Sequence, residues 1–463
     1  MLGLRTSYEH HAAFVPSFSS VTLPCLKELT LSLSASSADT QFGALFLQES
    51  VDTLSCNVIG DGTGDHDVDN IGWFYTQIAR RCHGIKRFRL EVKSPSLHNR
   101  TEPHFLDLIR GLRGLEVIVF PLYVTTPQVL CALSANTSLE CIMDDGIRND
   151  HSENSLPHYT GGLHSSVLNP GFFDAFPASP ESFSKLTHLS LSGFTRNILA
   201  IVDRSGVGNL LCLHIAFLDF PDRDQFRVLT CAISTRSPDI DFLRIEMAPE
   251  VQIEEARRAA FNTTWRLTWQ DIRPLTLCKK LMSIAILWPH VPLVTDEAMK
   301  EAAQSWPSLT ELCLMYEEAT TGQPDETCAT TLKSLASFAI CCPNLEYLRI
   351  PIRLTLPEDR VFVERVRTTW NTRGHKIDMH LALGLPLPPP EDLARIATFL
   401  NGIITGESIL TFTSVCCILP AVHSELDKTL QDSWRNRLTS ILEWLYNNFN
   451  EAHGFKTGIR IVV

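Results

Sequence analysis

"CPNLEYLRI", Cys342 to Ile350, holds the pattern on which the reading of this chain turns. Pro343 ends what precedes it, and Leu345, Leu348 and Ile350 then stand as L-x-x-L-x-L. Leu348 and Ile350 alternate, as a short strand with one buried face requires. Just upstream, Leu332, Leu335, Ala336 and Ala339 fall at i, i+3, i+4 and i+7, the spacing of an amphipathic helix. A helix, a break and a strand follow one another.

The same phrase recurs along the chain. It reads LKELTL from Leu26, VDTLSC from Val51, IKRFRL from Ile85, LEVIVF from Leu115, and more weakly LECIMD from Leu139. It continues as LTHLSL from Leu186, LLCLHI from Leu210, IDFLRI from Ile240, LMSIAI from Leu281, LTELCL from Leu309 and LEYLRI from Leu345, closing in IDMHLAL from Ile377. Leu26 to Ile377 is eleven intervals of about 32 residues each, within the range of stacked repeats. Helical spacing returns between phrases at Phe105, Leu108, Ile109 and Leu112, and at Phe226, Leu229, Thr230 and Ile233. Gly114, Pro238 and Pro307 mark breaks before the next strand. One strand plus one helix cannot cover its own apolar faces, but a stack of such units can.

The expected fold class is therefore α/β, a solenoid (horseshoe) of about 12 irregular repeats over residues 21–385, with short parallel strands on the concave face and helices on the convex face. Residues 1–20 are expected to be disordered or an N-terminal edge, and residues 386–463 a C-terminal helical cap. ALGLPLPPP at Ala382–Pro390 reads as a spacer. From Ser424 a helix is expected with Leu426, Leu430, Trp434, Leu438, Ile441, Leu442 and Leu445 on one face, and GIRIVV as a short terminal strand.

The phrases resemble the leucine-rich-repeat family over about residues 20–385. CPNLEYLRI, FSKLTHLSLSGF and WPSLTELCL are similar to the divergent repeats of fungal F-box proteins. That resemblance implies a substrate-receptor module of a cullin-type ubiquitin ligase adaptor, docked through a Skp-type subunit. The F-box itself is not found: the first repeat starts near Leu23, and LPPPEDLARIATFL from Leu387 reads as a helix of the last repeat. The alternative is a free-standing repeat scaffold or inhibitor with no ligase link.

Composition limits the chemistry. Forty Lys and Arg against 52 Asp and Glu give −12, the wrong balance for a general nucleic-acid binder. The N-terminus lacks the pattern of a signal peptide, and no apolar run is long enough to span a membrane, so a cytoplasmic or nuclear location with reduced cysteines is expected. Metalloprotease, hydrolase-elbow and phosphate-loop motifs are absent, so neither enzyme activity nor a cofactor is expected. GDGTGDHDVDN at Gly60–Asn70 has four aspartates, but an EF-hand loop from Asp65 would need Gly where Asn70 stands and Glu where Thr76 stands. It is expected to be a solvated loop before a helix carrying Trp73, Phe74, Ile78 and Cys82, not a metal site. The tryptophans and arginines of Thr263–Leu275 are expected to be core aromatics with snorkelling arginines.

What remains is a surface. Side chains between and just after the buried strand positions point away from the core. They are Arg87, Arg89 and Glu91, His188 and Ser190, His214, Phe242, Arg244 and Glu246, and Tyr347 and Arg349. Exposed aromatics and arginines anchor protein interfaces, so these form the candidate partner-binding face. Asp144–Ser182, a long polar insertion, is either a binding loop or disordered.

Overall fold

The structure is a computed structural model. It describes residues 2–5, 25–60, 64–92, 94–121, 124, 126–144, 183–204, 208–217, 219–247, 265–288, 292–314, 330–353, 378–383, 395–396, 410–414 and 459–462. The chain divides into two units, Met1–Phe220 with Ala248–Ala256, and Pro221–Met247 with Arg257–Val463.

In the first unit the strands are β1 (Leu2–Arg5), β2 (Glu28–Ser34), β3 (Thr53–Ile59), β4 (Arg87–Val92), β5 (Val117–Phe120), β6 (Cys141–Asp144), β7 (His188–Gly193) and β8 (Cys212–Phe217). They pair in chain order, and every pairing is parallel. Helices α1 (Ser37–Ala44), α2 (Asp65–Arg81), α3 (Pro95–Gly111), α4 (Pro127–Ser134) and α5 (Thr195–Arg204) fall between strands. The second unit repeats the scheme with β9 (Phe242–Met247), β10 (Ser283–Leu287), β11 (Glu311–Cys313), β12 (Tyr347–Ile352), β13 (Asp378–Leu383), β14 (Leu410–Ser414) and β15 (Ile459–Val462). Its helices are α6 (Arg223–Arg236), α7 (Trp269–Ile272, continued as a 3-10 turn Arg273–Leu277), α8 (Asp296–Ser305) and α9 (Leu332–Cys341).

Each of the twelve phrases supplies a strand, and where adjacent phrases pair, like positions pair with like except in the last, which is offset by one residue. The fourth positions form one column, Leu29, Leu54, Phe88, Ile118, Ile142, Leu189 and Leu213. Leu243, Ile284, Leu312 and Leu348 make the matching column of the second unit, which Met379, the third residue of the last phrase, continues. The members from Leu29 to Leu348 are all buried. A slip of one residue would turn every apolar side chain to the other face, so this burial fixes register.

Two backbone devices recur with the phrase. The carbonyl of the second residue accepts N–H from the second and third residues of the next phrase. Asp52 O takes Lys86 N at 2.8 Å and Arg87 N at 3.0 Å, Glu140 O takes Thr187 N and His188 N, and Thr310 O takes Glu346 N and Tyr347 N. Three residues ahead of eight of the phrases a tight turn closes on the first apolar residue, as in Ile85 N to Cys82 O at 3.1 Å and Leu309 N to Trp306 O at 3.1 Å. That turn residue also reaches the preceding repeat. Asn136 Nδ2 donates to Leu112 O at 2.9 Å, and Trp306 Nε1 to Leu275 O at 3.1 Å.

Helix starts follow capping chemistry. Ser36, Ser94, Thr126, Thr295 and Thr331 accept backbone N–H groups as N-caps, and Asp222 with Gln225 makes a capping box. Asp271 is fully buried at the start of α7. It accepts from Thr268 N and Oγ1, both at 2.7 Å, and from Arg227 Nε at 2.6 Å.

Three expectations change. Asp65 to Asn70 are not loop but the opening turns of α2, where Asp65 and Asp67 face the positive end of the helix dipole. Trp73 is 41% exposed; the buried stripe of α2 runs through Ile71, Phe74, Tyr75 and Ile78. Parallel pairing also does not stop at residue 385, because β14 and β15 extend the ladder inside the segment assigned to a helical cap. The strand expected in GIRIVV is present, whereas the helix from Ser424 lies outside the described residues, as does most of the Asp144–Ser182 insertion. At the other end, Leu2–Arg5 is a strand paired with β2.

Candidate protein-recognition face

The sheet has one face filled by the buried columns and another formed by the third and fifth phrase positions. In the first unit the third positions align as Glu28, Thr53, Arg87, Val117, Cys141, His188 and Cys212. The fifth positions align as Thr30, Ser55, Arg89, Val119 and Met143 across β2–β6, and as Ser190 and His214 across β7–β8. In the second unit Phe242, Ser283, Glu311 and Tyr347 form one row, and Arg244, Ala285, Cys313 and Arg349 the next.

Accessibility divides this face. Over β2–β6 burial alternates, leaving Arg87 exposed and Arg89, Glu91, Val117, Val119, Cys141 and Met143 partly exposed. Over β7–β8 only the first row stays open. His188 is partly exposed, but Ser190 is buried and His214 is 3% exposed. In the second unit Phe242 is 44% exposed, and Arg244 and Tyr347 are partly exposed. Glu246 and Arg349 are 8% and 9% exposed. Ser190, His214, Glu246 and Arg349 therefore sit on the expected rows but are not surface groups, which corrects the expectation that all eleven side chains face solvent.

Several of these groups engage one another. Arg244 clasps Glu246 through Nε at 3.1 Å and Nη2 at 2.8 Å. The Arg349 guanidinium lies 5.6 Å from the centre of the Tyr347 ring, within cation–π range. Ser283 Oγ donates to Glu311 Oε2 at 2.7 Å.

One pair carries catalytic residue types. Cys141 Sγ lies 3.5 Å from His188 Nδ1, which is also 2.9 Å from Thr187 Oγ1. A nucleophilic thiolate needs its pKa lowered beside a protonated imidazole. Here burial does the reverse, pushing the Cys141 thiol up and the His188 imidazole down. Cys212, next in the row, is pushed up to about 11 by burial, with the Cys141 charge adding to it. Both members of the Cys141–His188 pair are neutral near pH 7. Among the described residues no three His, Cys, Asp or Glu side chains are placed to hold a metal ion, and no helix is long and apolar enough to cross a membrane.

The tryptophan-rich stretch packs inward. Trp288 is fully buried, 4.8 Å from Trp265 and 5.1 Å from Phe226 between ring centres, and Arg223 covers Trp265 at 5.5 Å. Arg227 and Arg223 are turned to Asp271, at 2.6 and 3.8 Å.

Fold and face together define a repeat protein of α/β class with a parallel strand ladder. No known protein family matches the sequence, and no curated protein is significantly similar to it. Among solved structures the chain is similar to one in the crystal structure of the Rad7 and Elc1 complex in yeast. That likeness has 10% identity and a TM-score of 0.34, covering 85% of this chain and 82% of that chain.

Proposed function

We propose that this protein is a non-catalytic recognition module that binds a protein partner on the outward face of its strand ladder. In this reading it is a leucine-rich-repeat horseshoe, with strands on the concave side, helices on the convex side and a capped C-terminal end, working without a cofactor in cytoplasm or nucleus. The observation that carries it is the open sheet face within each unit, bearing Arg87 and Arg89 in the first and Phe242 and Tyr347 in the second, residue types that anchor protein interfaces. The neutral state of Cys141 and His188 favours binding over catalysis at that face. By resemblance of its phrases, the partner is the substrate of a cullin-type ubiquitin ligase and the chain its receptor.

Affinity purification of the tagged chain from its own host, followed by mass spectrometry, tests this. Recovery of a Skp-type subunit and a cullin is the expected result for an adaptor. Recovery of other proteins alone makes the chain a free-standing scaffold or inhibitor. Recovery of no specific protein under cross-linking overturns the recognition reading.

A further inference from the structure

The two arginines of β4 stand beside an apolar strip. Arg87 pairs across the ladder with Val117 and then Cys141, and Arg89 with Val119 and then Met143. Val117, Val119, Cys141 and Met143 are all partly exposed, so the strip opens to solvent. Towards β2 the rows turn polar, with Thr53 and Ser55, then Glu28 and Thr30. Beyond β6 the second row closes at Ser190 and His214. The nearby Lys86 is held by Glu116 at 3.1 Å, and Arg87 and Arg89 bring positive charge to these rows.

From this juxtaposition we propose that β4–β6 bind an extended segment of a partner protein, with an acidic side chain over Arg87 and Arg89 and an apolar one over Val117, Val119 and Met143. This names the partner chemistry for the recognition face and rests on that reading. Width argues for an extended chain. Each of β5 and β6 offers two outward residues about 6.7 Å apart, narrower than the 10–12 Å of a helix with its side chains. Spacing argues for the order of side chains. Neighbouring strands lie about 4.8 Å apart, so the centre of the β5–β6 strip is about 7 Å from the arginine column, or about two residues of extended chain. The ligand pattern is therefore acidic–x–apolar along a segment crossing the strands. The net charge of −12 would repel an acidic ligand at a distance, but screening over about 8 Å at physiological salt leaves the local arginines in control. Their field already reaches this row, where Arg87 opposes the rise of the Cys141 pKa.

The experiment is selection of a phage-displayed library of random short peptides on the immobilised full chain, then fluorescence anisotropy with an enriched synthetic peptide. The expected result is enrichment of acidic–x–apolar sequences whose affinity falls with salt, and falls about tenfold or more in Arg87→Glu. Val117→Asp supplies a second, independent loss, and circular dichroism checks that both variants fold. Enriched peptides without an acidic residue, or binding that survives Arg87→Glu, overturn this address while leaving the wider recognition reading in place. No enrichment also overturns it, and the purification experiment then decides the wider reading separately.

Discussion

His98 lies in α3 with its ring 5.6 Å from that of Phe105 and no exposed surface. Burial lowers its pKa to about 4, whereas an unfolded histidine titrates near 6.5. Between those values the unfolded chain binds the extra proton, so stability falls as the pH drops from about 6.5 to 4 and is unaffected by this group above that window. The slope is about 1.4 kcal/mol per pH unit, roughly 3 kcal/mol across the window. Urea unfolding of the wild type and His98→Gln at pH 7 and pH 5 should show the wild type losing more, and equal losses would contradict it. Nothing in the sequence around His98 announces this, because its burial depends on residues such as Phe105 one helix face away. Asp271 is the same lesson in a carboxylate. It stands in the stretch Thr263–Leu275, read from its tryptophans and arginines alone, yet it ties Thr268 to Arg227 on a different helix. His214, Glu246 and Arg349 were legible as members of the outward rows, but alternation specifies which way a side chain points and not what covers it.

At the scale of the element, the phrase predicts strands because one sequence pattern satisfies three structural demands. Its first apolar residue closes the turn, its fourth fills the buried column and its sixth extends the same face. β14, which the sequence reading missed, lacks the first of these. Three residues before Leu410 of β14 stands Glu407, where the phrase would place an apolar residue. The second residue makes its recurring contact through its backbone, while side-chain contacts there, such as Lys86 to Glu116 and Thr310 Oγ1 to Met282 O, differ from repeat to repeat, so its side chain varies from Lys86 to Leu211 to Thr310. Glu346→Ala should accordingly change stability by less than about 0.5 kcal/mol. Glu346→Pro removes one of the two N–H groups that meet Thr310 O at 2.8 and 3.0 Å and should cost about 3 kcal/mol or more. Thermal unfolding of the two variants checks the contrast, and similar losses would mean that the side chain matters.

For the whole molecule, a ladder of repeats makes stability a matter of neighbours. Leu54 is buried in β3, paired with Leu29 on one side and Phe88 on the other. Leu54→Ala should cost about 2–5 kcal/mol. Hydrogen exchange should accelerate most in β2–β4 and least in β10–β12 of the other unit. Uniform acceleration in both units would instead mean that the chain unfolds as a single cooperative body.

The shared carbonyl has one more consequence, for how such a chain can change length. Glu140 O receives Thr187 and His188 across an interval of 47 residues between phrases, from Leu139 to Leu186. Thr187 O receives Leu211 and Cys212 across only 24, from Leu186 to Leu210. The join between repeats is therefore indifferent to how much chain is spooled out between them, and closing a loop of twice the length costs only about 0.6 kcal/mol more. Each connection is a docking port into which new sequence can be spliced while the rungs on either side keep their places.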